Sequence, residues 1–144
     1  MISVVIPSYN RRDCVLSLLR SVFLQQGAEF EVIVVDDCSP DDTVERVRKE
    51  FPQVRLFVNG KNSGPCVTRN RGIREARGEW IVGLDSDVTL PDPHLLANAQ
   101  RTFSMYPTVS GLAFRLLKPD GASEDAARWW HPLPINEFAD KRFL

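Results

Sequence analysis

Two acidic groups stand where short apolar runs end: Asp36-Asp37 after FEVIVV, and Asp85-Ser86-Asp87 after WIVGL. Asp85 and Asp87 are two positions apart, so in extended backbone their side chains share a face. That spacing lets the pair address one hard divalent ion, directly or through water. Carboxylate oxygens without a neighbouring His or Cys favour Mg²⁺ or Mn²⁺ over zinc. An ion held by so few protein groups keeps positions open for phosphate oxygens. Asp and Ser are also ordinary turn formers after a strand; the second acidic pair nearby is what favours the functional reading. Alternation sends Asp36 and Asp37 to opposite faces, so one is expected to cap the neighbouring loop. Asp37, nearer the strand mouth, is assigned the ligand side, where an acceptor-only carboxylate suits a nucleobase imide N–H or a ribose hydroxyl. Four carboxylates at one edge without local lysines repel one another, which calls for a cation or hydrogen-bond donors.

The stretch after Gly64 adds a conflict. A helical stripe that turns Cys66, Ile73 and Ala76 to the sheet carries Arg69 and Asn70 with it. An arginine buried without a partner is costly, so Arg69 is expected to meet a carboxylate or an anionic ligand. Gly72 permits a close approach to a neighbouring element, while Arg71, Arg74 and Arg77 read as a solvated face. Other machinery is missing: no G-x-G-x-x-G follows the first strand, and neither G-x-x-x-x-G-K-[ST] nor G-x-S-x-G occurs. His94 and His131 lie in Pro-flanked segments and read as surface residues. With 18 Lys+Arg against 19 Asp+Glu the formal net charge is −1. That balance argues against a nucleic-acid or anionic-membrane binder, whose affinity rests on clustered cations. The three cysteines (Cys14, Cys38, Cys66) are odd in number and widely spaced, which suits a reducing compartment. No basic leader opens the sequence, and no apolar run approaches the ~18 residues of a membrane-spanning helix. A cytoplasmic location is expected, with peripheral association at the inner membrane face as an option.

The elements that must position these groups alternate in type. Ile2–Pro7, Phe30–Val35, Val54–Val58 and Trp80–Leu84 read as four strands. Between the first two, Val15, Leu18, Leu19 and Val22 recur on one helical face, with Asn10 as the expected N-cap and Asp13 as its capping-box acid. Ser39-Pro40-Asp41-Asp42 is expected to open a second helix, running to about Glu50, with Ser39 as N-cap. Gly64-Pro65 opens a third, and Gly78 is expected at its C′ position. Strands joined by helical crossovers pair in parallel with both faces covered, and ligands in such sheets bind beyond the strands' carboxyl ends. There the first strand delivers Pro7-Ser8-Tyr9-Asn10. Pro93–Tyr106 is expected to be helical, Val109–Leu117 a strand, and the segment after Gly121 has no clean period. Length alone, 144 residues, suits one domain.

Three ordered blocks carry a resemblance: SVVIPSYNRRDCVLSLLRSV, EVIVVDDCSPDDT and KNSGPCVTRNRGIREARGEWIVGLDSDV. Together they resemble the GT-A fold glycosyltransferases, and among them the large family 2 type. Cys38 stands where the family has a glycine in V-D-D-G-S, and Thr68 where it has the alanine of A-R-N. The resemblance is strong over residues 2–88 and weaker over 89–117. It implies an α/β fold, the GT-A (Rossmann-like) sandwich with a mostly parallel central sheet flanked by helices. The implied activity is transfer of a sugar from a nucleotide-diphosphate sugar to an acceptor hydroxyl, with inversion and with Mn²⁺ or Mg²⁺. By the resemblance, Pro7, Tyr9, Asn10, Asp37 and Arg69 line the nucleotide pocket, Asp85 and Ser86 join them, and Asp87, with Asp85, holds the metal. The acceptor would be a saccharide or a lipid-linked group. Family members place the general base well downstream of D-x-D; Glu124, Asp125, Glu137 and Asp140 are available here, and no motif selects one. Residues 1–117 are therefore expected to be the nucleotide-sugar-binding core and 118–144 the start of an incomplete acceptor side. The alternative is a non-catalytic or truncated nucleotide-sugar-binding module. A nucleotidyltransferase would need an early Gly-rich phosphate loop in place of Pro-Ser-Tyr-Asn. Trp129 and Trp130 suit sugar stacking, partner docking or plain packing, and the apolar C-terminal segment suits pairing with a second copy.

Overall fold

The computed structural model describes residues 1–114 and Leu117. Met1–Thr102 form one compact unit, and a second runs from Phe103. The elements are β1 (Ile2–Ser8), α1 (Arg12–Phe23), β2 (Phe30–Asp36), α2 (Thr43–Glu50), β3 (Arg55–Val58), α3 (Pro65–Glu75), β4 (Trp80–Gly83) and α4 (Leu95–Met105). The four strands make one sheet in the order β3-β2-β1-β4, every pair parallel. The expected α/β architecture is therefore present.

The central strands β1 and β2 are mostly apolar because helices cover both sheet faces, with Ser3 and Glu31 hydrogen-bonded to each other. Ile2, Val4 and Ile6 of β1 with Val32 and Val34 of β2 face α1, whose Val15, Leu18, Leu19 and Val22 are fully buried. Val47 and Phe51 from the α2 side and Leu96 of α4 complete that layer. On the opposite face Val5, Ile33 and Val35 form a smaller core with Phe57 and Ala76, covered by α3. A methyl group at Gly72 would come within 2.5 Å of Val5 Cγ1, so α3 lies closer to the sheet than any side chain there allows.

Register fixes where the strands stop. Ser8 is level with Asp36, and Asp36 with Val58. The Asp37 amide donates to the Ser8 carbonyl at 2.8 Å, and the Leu84 amide to the Val5 carbonyl at 3.0 Å, just before Asp85. After three strands laid in one direction, the chain returns to the other side of β1 to place β4. The strand order thus reverses at β1, and the crevice beyond its carboxyl end is the expected ligand position in an open α/β sheet.

Several local expectations are corrected. Asn10 does not cap α1: it sits at φ 50°, and Arg11 is the residue before the helix. Asp13 forms no capping box, because Arg12 takes its carboxylate in an ion pair. Helix α2 begins after Asp42 instead of at Ser39, because Ser39 is held by Asp36. Gly78 is not a left-handed cap. A Cβ there would lie 2.7 Å from the Ser3 amide nitrogen, so close approach to β1 is what requires glycine. On α3 the buried residues are Thr68 and Gly72, while Cys66 and Ile73 are exposed. With no side chain at Gly72 to stand it off, the helix rests on that line instead of on its larger apolar residues. Residues 109–114 form no strand and are mostly exposed. Glu124, Asp125, Trp129, Trp130, His131, Glu137 and Asp140, with the apolar C-terminal segment, lie outside the described residues. Among the described residues no helix is long and apolar enough to cross a membrane.

Candidate functional site

A cleft of about 350 Å³ opens beyond the carboxyl ends of β1, β2 and β4. That volume lies at the lower end of the ~300–1,000 Å³ common for small-molecule sites. From β1 it takes Pro7 and Ser8, with Tyr9 just beyond; Asp37 follows β2, and Asp85, Ser86 and Asp87 follow β4. Asn62, Gly64, Pro65 and Thr68 close a further wall at the start of α3, and Arg11 completes the lining.

The two acidic groups are treated differently by the fold. Asp36 is fully buried and turned to its own loop, accepting from the Ser39 amide at 2.8 Å and from its hydroxyl. Asp37 lines the cleft while only 3% exposed. Its Oδ1 accepts from Asn59 Nδ2 at 2.6 Å, and its Oδ2 from the Gly64 amide at 2.8 Å, with the Ser63 amide 3.0 Å from both oxygens. Burial by itself raises this carboxyl; the bonds from Asn59, Ser63 and Gly64 outweigh it and hold Asp37 below the usual carboxylate range. Asp37 is thus an ionised, immobilised acceptor at the cleft wall. Its loop also carries strain, because Cys38 stands at φ 65° where glycine is at ease.

Asp85 and Asp87 remain accessible, at 65% and 49% side-chain exposure. Each has acquired an arginine from far away in sequence: Arg69 of α3 pairs with Asp85, and Arg11 Nη1 lies 2.6 Å from Asp87 Oδ2. The cations that the acidic cluster called for are therefore supplied by the chain itself. Exposed pairs of this kind contribute only ~0–1 kcal/mol each, so they exchange readily for other partners. The donor set available to a metal is two hard carboxylates with no His or Cys, which fits Mn²⁺ or Mg²⁺. No cluster of three or more His, Cys, Asp or Glu is found among the described residues.

One polar atom at this cleft is unsatisfied. The Ser8 hydroxyl is buried at the β1 terminus without a hydrogen-bond partner, and Ser8 lines the cleft. An orphaned buried hydroxyl costs about 1–3 kcal/mol, and one beside an open cleft is placed to meet a ligand atom.

Of the residues assigned from sequence, Pro7, Tyr9, Asp37, Asp85, Ser86 and Asp87 are brought to one cleft. Arg69 reaches it through Asp85. Asn10 is exposed and outside the lining, its amide donating to Ser39 Oγ at 2.8 Å. Of the lining residues, Arg11, Asn62, Gly64, Pro65 and Thr68 are not assigned from sequence, and Ser8 is placed at this edge without a role. No spacing rule pairs Arg11 with a residue 76 positions away. Ser8 stood in the sequence beside two assigned residues, and the Ser hydroxyl's isolation appears only in three dimensions.

The Glycosyl transferase family 2 profile matches residues 3–131. The chain is 44% identical over 93 residues to the succinoglycan biosynthesis protein ExoO of Rhizobium meliloti, covering 63% of this chain and 27% of that protein. It is 42% identical over 87 residues to an uncharacterised glycosyltransferase of Haemophilus influenzae, covering 60% of this chain and 29% of the relative. The chain thus spans under a third of these relatives' lengths. Among solved structures, S. aureus TarS 1–349 in complex with UDP superposes with a TM-score of 0.67 at 32% identity, over 80% of this chain and 38% of that one. The mannosyltransferase PcManGT from Pyrobaculum calidifontis, in complex with GDP-Man and Mn²⁺, gives a TM-score of 0.70 at 29% identity, over 83% and 36%.

Proposed function

The chain belongs to glycosyltransferase family 2, and on that premise we propose that its cleft binds the nucleotide-diphosphate sugar of a metal-dependent, inverting glycosyl transfer to an acceptor hydroxyl. The observation that carries this reading is the meeting of Asp37 with Asp85 and Asp87 in one cleft at the sheet's reversal point. The relatives support it: TarS is known in complex with UDP and with UDP-GlcNAc, and PcManGT with GDP-Man and Mn²⁺.

In this reading Asp37 accepts a hydrogen bond from the base or ribose, and Ser8 offers its unpartnered hydroxyl to the same ligand. Asp85 and Asp87 would hold Mn²⁺ or Mg²⁺, which when bound would supply electrostatic stabilisation of a departing diphosphate. Arg69 and Arg11, released from those carboxylates, present guanidinium forks suited to phosphate oxygens. The exchange keeps the cleft's charges paired throughout, so neither bare carboxylates nor bare arginines face the entering donor. The acceptor, a saccharide or a lipid-linked group, and the general base belong to the acceptor side, taken to begin in 118–144 beyond a donor core of 1–117. The odd number and wide spacing of Cys14, Cys38 and Cys66 favour a reducing, cytoplasmic setting.

Titration calorimetry of the chain with UDP-, GDP- and dTDP-sugars in the presence of Mn²⁺ tests this. Uptake of at least one donor, weakened tenfold or more in Asp87→Ala, is expected for a charge-assisted contact of roughly 1.5–3 kcal/mol. Uptake of none, or equal uptake by wild type and Asp87→Ala, overturns it.

A further inference from the structure

The carboxylate at the cleft wall is held by a relay that begins outside the cleft. Arg71 lies half-buried against the sheet edge and does not extend into solvent. Its guanidinium stands 5.5 Å from the centre of the Phe57 ring, as does that of Arg55. Arg71 Nη1 donates to the Val58 carbonyl at 2.8 Å and to Asn59 Oδ1 at 2.6 Å. Asn59, 9% exposed, donates in turn from Nδ2 to Asp37 Oδ1 at 2.6 Å and to Thr68 Oγ1 at 3.2 Å. The Thr68 hydroxyl donates in turn to the Gly64 carbonyl at 2.9 Å.

Chemistry allows this chain only one sense. A guanidinium has donors alone, an ionised carboxylate acceptors alone, and the Asn59 amide has one end of each kind. Reversing the amide would set NH₂ against Arg71 and oxygen against Asp37, losing both bonds and opposing like poles in a buried site. Arg71 therefore selects the Asn59 orientation, and Asn59 joins the Ser63 and Gly64 amides in fixing that of Asp37. Thr68 belongs to the same device. It occupies the position where the family motif has alanine, which could not accept the second Asn59 proton.

We propose that Arg71 and Asn59 are positioning residues for the donor nucleotide, setting its affinity through Asp37 without touching it. Neither lines the cleft. The inference rests on the donor-site reading above for its ligand, while the relay itself can be read without one.

The test uses Arg71→Met, Arg71→Lys and Asn59→Ala, each also combined with Asp37→Asn, with circular dichroism melts confirming that every variant folds. Calorimetry with Mn²⁺ and whichever of UDP or GDP binds tighter should show Arg71→Met weakening binding about 3- to 30-fold. Arg71→Lys should recover part of the loss, and in the Asp37→Asn background the same change should cost less than about twofold. Equal losses in both backgrounds, or no loss in either, overturn the proposal. Independently, the Asp37 carboxyl ¹³C titration midpoint should move upward in Arg71→Met and Asn59→Ala, and an unmoved midpoint overturns it. A midpoint that moves in a chain taking up neither nucleotide supports the relay and overturns only the donor-site reading.

Discussion

Replacing Gly72 by alanine should destabilise the chain even though alanine is the better helix former. Gly72 lies within α3, so the backbone term alone favours alanine by about 1 kcal/mol. Against this, the added methyl would stand 2.5 Å from Val5 Cγ1 and 3.2 Å from Val35 Cγ2. Both valines are fully buried β-strand residues with restricted χ1, so neither can swing aside. Overpacking of this kind costs about 1–3 kcal/mol, so the two terms leave a net loss of up to roughly 2 kcal/mol. The clash names its own remedy. Val5→Ala alone should cost about 2 kcal/mol for two lost methyls and a partial cavity. Combined with Gly72→Ala, the new methyl enters the vacated space, so the double variant should be at least ~1 kcal/mol more stable than the two losses added. Urea unfolding of the four proteins at a common m-value measures the cycle. Losses that add to within ~0.5 kcal/mol refute the packing argument, and a stabilised Gly72→Ala refutes it outright.

Three further outcomes follow from the site. Ser8→Ala removes an orphaned buried hydroxyl, so denaturant stability should hold or rise by about 1 kcal/mol while calorimetric nucleotide affinity falls; a loss of both would show that Ser8 is satisfied within the protein. Cys38→Gly relieves a non-glycine residue at φ 65°. The roughly 1–2 kcal/mol of left-handed strain exceeds glycine's entropic cost of 0.5–1 kcal/mol or so, and calorimetric melting should rise by about 2–6 °C. Asp37, its folded-state carboxyl lowered by its hydrogen bonds, contributes stability that is complete above the ordinary carboxylate midpoint near ~4. That contribution is lost as pH falls through the lower folded midpoint. Urea midpoints from pH 6 to 2 or thereabouts should therefore fall less steeply in Asp37→Asn, and parallel curves would refute the assignment.

The layered architecture was legible because periodicity is a local property. The β1 and β2 runs are apolar without alternation, and the α1 stripe of Val15, Leu18, Leu19 and Val22 recurs on one face; both patterns report burial directly. The helix starts were less legible. Asn10 and Ser39 are excellent capping residues by type, yet Asn10 stands at φ 50° with its amide on Ser39 Oγ, and Ser39 is clasped by Asp36 three residues earlier.

What the sequence determined by itself is the order of strand and helix, the carboxylates at the ends of β2 and β4, and the family. The elements and the strand-end acids depend on neighbours within one turn or one strand, and the family on three ordered blocks between residues 2 and 88. Only the tertiary structure decided which acid faces which partner. It turned Asp36 into a loop clasp and Asp37 into a buried acceptor, because the two lie on opposite faces of a strand end whose surroundings come from residues 39 and 59–64. It moved Arg71 from an apparent solvated face to the head of a relay, because Gly72 draws α3 down onto the sheet. It brought Arg11 and Arg69 to Asp87 and Asp85 across 76 and 16 residues of chain. Charge partners are chosen by distance in space, and that distance is set by packing.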